Sequence, residues 1–165
     1  MSKPLVCGVM IASLLFSSCW PRPEQRNVPN ASPTATATPS TEVNIKVPSE
    51  GSKVKQTEMV RGTSQNIPAG NVIWMVVFVH DVGRYFPQNQ PADVRANGDW
   101  DSVTYFGIPS DKSLKFDAIA VLADGGGQLA FNNYLAEARD KNAWPGLERL
   151  PEGAKIYGRV SVTRE

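Results

Sequence analysis

The stretch Asn71-Val72-Ile73-Trp74-Met75-Val76-Val77-Phe78-Val79-His80 decides the fold. Between Asn71 and His80 every residue is apolar. Successive side chains of a strand turn to opposite faces, so Val72, Trp74, Val76 and Phe78 share one face. Ile73, Met75, Val77 and Val79 share the other. A strand with no polar face must lie inside a sheet that is covered on both sides. One face is expected to meet an opposing sheet and the other a helix.

The flanks supply both partners. Upstream, Val43, Ile45 and Val47 alternate, and Pro48-Ser49-Glu50-Gly51 is turn chemistry. Residues 53–61 form a second expected strand, ending at Arg61-Gly62-Thr63-Ser64. Downstream, Trp100–Phe106 and Leu114–Ala123 continue the β pattern. The period then changes. Gly125-Gly126-Gly127 is expected to be a flexible connector, and residues 128–140 a helix with Phe131, Leu135 and Ala138, joined by Tyr134, on one face. Ala154–Thr163 closes the domain as a strand, with Ile156, Val160 and Val162 on one face and Tyr157, Arg159 and Ser161 on the other. Six or seven short strands predict a mainly β, antiparallel sandwich with one helix before its last strand.

The amino terminus has a different character. Lys3 precedes an apolar run from Leu5 to Phe16, the pattern of an export signal. Broken by Gly8 and Ser13, that run is too short to span a bilayer core of about 30 Å. Leu15-Phe16-Ser17-Ser18-Cys19 resembles a bacterial lipobox, departing from it at Phe16, where Leu is usual. The resemblance implies a signal peptide over 1–18 and an acylated Cys19 that anchors the chain to a membrane. Acyl chains contribute about 0.8 kcal/mol per buried CH₂, and several make a firm anchor. Trp20 follows the cysteine where many lipoproteins kept at the inner membrane carry Asp, so an outer membrane is expected if the source has two.

Residues 19–42 contain Pro21, Pro23, Pro29, Pro33 and Pro39 and a Thr/Ala/Ser-rich run. With Val28 as their sole large aliphatic before the β pattern, they are expected to form a disordered tether. The domain then spans 43–165. Cys7 leaves with the signal and Cys19 takes lipid, so no cysteine remains in the domain for a disulfide or a metal. A formal net charge of +1 excludes a broad electrostatic grip on nucleic acid.

Two resemblances bear on the domain. Val47-Pro48-Ser49-Glu50-Gly51-Ser52-Lys53-Val54 with Val60-Arg61-Gly62-Thr63 resembles the opening strands of bacterial immunoglobulin-like or fibronectin-like surface modules. Ile67-Pro68-Ala69-Gly70, Arg84-Tyr85-Phe86-Pro87-Gln88, Gly98-Asp99-Trp100 and Tyr105-Phe106-Gly107 are similar to an uncharacterised family of extracytoplasmic bacterial domains. They imply an immunoglobulin-like sandwich of about seven strands and bring no activity with them.

Candidate chemistry is sparse. His80-Asp81 is the obvious acid–base candidate, with Asp99 or Asp101 as the partner in a hydrolase, but no nucleophile motif accompanies it. Asp99 and Asp101, with Asp93 or Asp111, lack calcium-loop spacing. Gly125–Gly127 lacks the Lys-Ser/Thr of a phosphate loop, and Asp124 would repel an anion. No cofactor, metal site or catalytic residue is therefore expected. Arg84, Tyr85, Phe86, Trp100 and Tyr105 form a candidate ligand platform, against the alternative that they are core packing. The expectation is an envelope-anchored module that binds a protein or glycan or acts as a spacer, with a purely structural role in envelope assembly as the alternative.

Overall fold

The computed structural model describes residues 39–165. The expected signal peptide, the Cys19 attachment point and the tether through residue 38 lie outside the described residues.

The described residues form nine strands and one helix. The strands are β1 (Glu42–Val47), β2 (Lys53–Val54), β3 (Thr57–Gln65), β4 (Val72–Val79), β5 (Arg84–Pro91), β6 (Asp93–Val94), β7 (Asp99–Tyr105), β8 (Lys115–Ala123) and β9 (Ala154–Arg164). Helix α1 (Gly125–Asp140) lies between β8 and β9. One sheet has the order β1-β3-β7-β6 and the other β2-β9-β8-β4-β5. All pairings are antiparallel except β2 with β9. Together the sheets curl partly into a half-barrel. No described helix is long and apolar enough to cross a membrane.

Strand β4 organises both cores. Ile73, Met75 and Val77 pack with Val60, Trp100, Phe106, Phe116 and Val162 between the sheets. Trp74 and Val76 join Ile119, Val121, Phe131 and Leu135 beneath α1. The Trp74 and Phe131 rings lie 5.2 Å apart, and Trp74 Nε1 donates to the Gln88 carbonyl at 2.8 Å. The indole is thus buried with its polar edge satisfied.

Several expectations need correction. Nine strands replace about seven because residues 53–61 divide into β2 and β3, and because β5 and β6 lacked a strand pattern. The strand does not end at Arg61–Ser64: β3 runs on through those residues to Gln65. Gly62 sits there because a Cβ would overlap the Trp100 ring and the Asn44 carbonyl oxygen. Gly125–Gly127 is no connector: it is the first turn of α1. Asp124 caps that turn, accepting from the Gly126 and Gly127 amides at 2.9 and 3.0 Å. In β9, Ile156 is exposed, and Tyr157 packs with Val160 against the inter-sheet core. The pairing jumps from Ala120–Gly158 to Val121–Ile156, so Tyr157 is the extra residue of a bulge that reverses the faces beyond it. The ordered fold also begins before residue 43. Asn66 Nδ2 donates to the Ser40 carbonyl, and Thr41 Oγ1 donates to the Asn66 carbonyl, each at 2.9 Å.

Candidate functional site

An apolar cleft of about 540 Å³ opens where the two sheets meet at one end. Val77 and Val79, from the end of β4, contribute their inter-sheet faces to it. Phe86 stands opposite Val77 across the β4–β5 pairing and shares that face. Tyr105 comes from the end of β7, and Ile108, Asp111 and Leu114 from the β7–β8 connection. Asp81 and Val82 reach it from the β4–β5 turn and Trp144 from the segment after α1.

Each wall is held by hydrogen bonds among its lining residues and their neighbours. Arg164 Nη1 donates to the Ile108 carbonyl at 2.6 Å. The Ser113 amide donates to the Arg164 carbonyl, and the Arg164 amide to that of Leu114. Asp111 accepts from the Ile108 amide at 2.9 Å. The buried Gln88 side chain bridges the sheets, its Oε1 accepting from the Tyr105 amide at 2.8 Å. On the far side, Tyr85 and Leu147 exchange backbone hydrogen bonds of 2.9 and 2.8 Å. Gly146 lies against β5 so closely that a Cβ would come 2.8 Å from the Phe86 ring. That docking leaves Trp144 at the cleft, edge-on to Tyr134 with centroids 6.5 Å apart.

The cleft thus holds its shape while presenting apolar side chains to water. Val82 is 58% exposed, Ile108 61%, Tyr105 46% and Trp144 46%. Large apolar side chains are common singly on a surface, but four around one concavity make a candidate site.

The expected ligand platform divides. Phe86 and Tyr105 meet at the cleft. Tyr85 faces the other side of β5, its ring 4.7 Å from that of Phe78, and Arg84 pairs with Glu148 at 2.8 Å. Trp100 is wholly buried in the inter-sheet core, so it leaves the platform and the packing alternative holds for it. Trp144, Ile108 and Val82 lay outside the sequence expectation, since isolated residues in turns carry no periodic signal.

The expected set of His80 with Asp99 or Asp101 does not assemble. His80 lies beyond β4 in one sheet, edge-on to Phe78. Asp99 and Asp101 belong to β7 in the other, where Asp101 pairs with Arg95 and Asp99 accepts from Asn97 at 2.8 Å. His80 Nε2 instead meets Asp117 Oδ1 at 2.9 Å. Ser161 Oγ donates to the same oxygen at 2.7 Å, and Arg159 lies 3.4 Å from Asp117 Oδ2. Burial pushes the Asp117 carboxyl up, but the hydrogen bonds from His80 and Ser161 and the charges of His80 and Arg159 outweigh it, holding the pKa below its ordinary value. A Ser–His–Asp nucleophile needs the serine hydroxyl on the histidine. Here it is spent on the aspartate, so the cluster neutralises a buried carboxylate rather than activating an alcohol.

Among the described residues no three His, Cys, Asp or Glu side chains converge to hold a metal ion. Asp93 and Asp101 are cross-strand neighbours, and Asp111 stands apart at the cleft. No family model matches the chain, and no curated protein matches it.

Proposed function

We propose that this chain is an exported lipoprotein, anchored through acylated Cys19, whose domain is an immunoglobulin-like module that binds a ligand outside the cytoplasm without transforming it. The cleft carries the reading: a fixed concavity with four exposed large apolar side chains has the form of a binding site. A purely structural role would leave that exposure without a purpose. The strand order supports the immunoglobulin-like assignment. β1-β3-β7-β6 facing β9-β8-β4 corresponds to the four-on-three arrangement of such modules, with β2 beside β9 and β5 beside β4 as additions. The lipobox-like run ending at Cys19 supports the anchor.

The test combines position and capture. Cys19→Ala should move the protein from the membrane fraction to the soluble fraction and abolish labelling by a palmitate analogue. Envelope extract and a glycan array are then probed with the wild type and with an Ile108→Asp, Trp144→Ala variant. Both sites are exposed, so the variant should keep its stability to within about 0.5 kcal/mol per substitution and lose the ligand. Capture that is unchanged in the variant would remove the cleft from the reading.

A further inference from the structure

We propose that the cleft takes a small organic cation, a protonated amine or quaternary ammonium carried on an apolar body. This rests on the reading of the cleft as a binding site and adds the chemistry of its ligand. Among the described residues that line it there are two carboxylates, Asp81 and Asp111, and no Lys, Arg or His. Neither carboxylate is in an ion pair among the described residues; those pairs engage Asp101, Asp117, Glu137 and Glu148. Asp111 is met by neutral donors, the Ile108 amide at 2.9 Å and Ser110 Oγ at 3.3 Å. The cleft therefore concentrates negative charge in a chain whose formal net charge is +1.

The apolar walls favour the same ligand. Phe86, Tyr105 and Trp144 line the cleft, and aromatic faces attract a cation within about 6 Å of the ring. An anionic ligand would meet repulsion from both carboxylates with no cationic side chain lining the cleft, and a neutral one would gain nothing from their charge. Size argues for a small molecule over a polypeptide. About 540 Å³ lies within the roughly 300–1,000 Å³ of single-ligand pockets. A peptide adding itself as a strand to β5 would find Tyr85 already paired with Leu147 and no N–H on Pro87.

The full, isotopically labelled chain is titrated with 4-phenylbutylamine, 4-phenylbutanol, 4-phenylbutyrate and an acetylated apolar tripeptide with a central lysine, followed by NMR shifts. The amine should move Tyr105, Ile108 and the Trp144 indole saturably, with a Kd about tenfold below that of the alcohol. The carboxylate should produce no saturable shift. Asp81→Asn and Asp111→Asn should each weaken the amine several-fold and leave the alcohol unchanged; the Asn oxygen can still accept from the Ile108 amide. Raising salt to about 1 M should narrow the gap. Equal binding of amine and alcohol, or preference for the carboxylate, overturns the charge assignment while leaving a binding cleft. Tighter binding of the tripeptide than of the amine overturns the choice of a small molecule. No cleft shift with any probe overturns the proposal, while the Ile108→Asp, Trp144→Ala capture experiment judges the cleft independently.

Discussion

Asp117 shows how a single residue can tie stability to pH. Its side chain is 3% exposed, and burial of an unpaired carboxylate at that depth would cost several kcal/mol. His80, Ser161 and Arg159 compensate, and the carboxyl is held below its ordinary 3.8. A lowered folded-state pKa contributes stability that is complete above the unfolded value and is lost as pH falls from there through the folded value. The wild type should therefore lose stability steeply below about pH 4, on top of the general acid effect. Asp117→Asn should be less stable at pH 7 by about 1–3 kcal/mol and show a flatter acid limb. Urea melts from pH 7 to 2.5 read both; parallel curves for the two proteins would refute the coupling. Trp74 sets the other extreme. It packs on Phe131 beneath α1 and its indole hydrogen bond is internal, so Trp74→Ala should cost about 3–5 kcal/mol. His80→Ala, at an exposed ring, should cost clearly less, and melts of the two variants give the comparison directly.

At the scale of elements, what was legible followed period and what was not followed context. β4 announces itself by an unbroken apolar run, and β7, β8, α1 and β9 by alternation or helical spacing; the expected sharing of β4 between an opposing sheet and α1 is found. β5 was illegible because Pro87 and Pro91 argue against a strand, yet an edge strand needs no amide on its outer side. The three glycines before Gln128 spoke against a helix by propensity. The decisive signal was Asp124, which caps the helix start, together with a packing demand at Gly127, where a Cβ would meet the Gly153 carbonyl oxygen at 2.8 Å. The helix ends in an equally local way, with Asn142 at φ 47° and the Ala143 amide bonded to the Ala138 carbonyl at 2.9 Å. Because the Gly-rich turn has little intrinsic helicity, the cap carries more of its stability than usual. Asp124→Ala should cost about 1–2 kcal/mol and raise amide exchange first at Gly126 and Gly127. Protection unchanged at those amides would mean that tertiary packing alone holds the turn.

At the scale of the whole molecule, the cleft was only half legible, because it belongs to no element. Phe86 and Tyr105 stand out as aromatic residues, but their partners Val82, Ile108 and Trp144 come from three separate connections brought together by the sheet order. The parts played by Asp111 and Gln88 emerge only with their hydrogen bonds to the Ile108 and Tyr105 amides. Ser40 and Thr41 are hydrogen-bonded to Asn66, and Val43 is 2% exposed in the inter-sheet core. Between Pro21 and Pro39 the composition offers almost nothing to a core. A chain begun at Pro39 should therefore unfold at the same denaturant midpoint as the longer chain, within about 1 kcal/mol. One begun at Val47 loses β1, exposes the paired edge of β3 and removes Val43 and Ile45 from the core. It should lose several kcal/mol, of about 5–15 available to a domain, and expose a new strand edge to self-association. Denaturant melts with light scattering on both truncations measure the two effects. Loss of more than about 2 kcal/mol in the chain begun at Pro39 would show that the Pro/Thr/Ala-rich segment packs on the domain, against the composition argument.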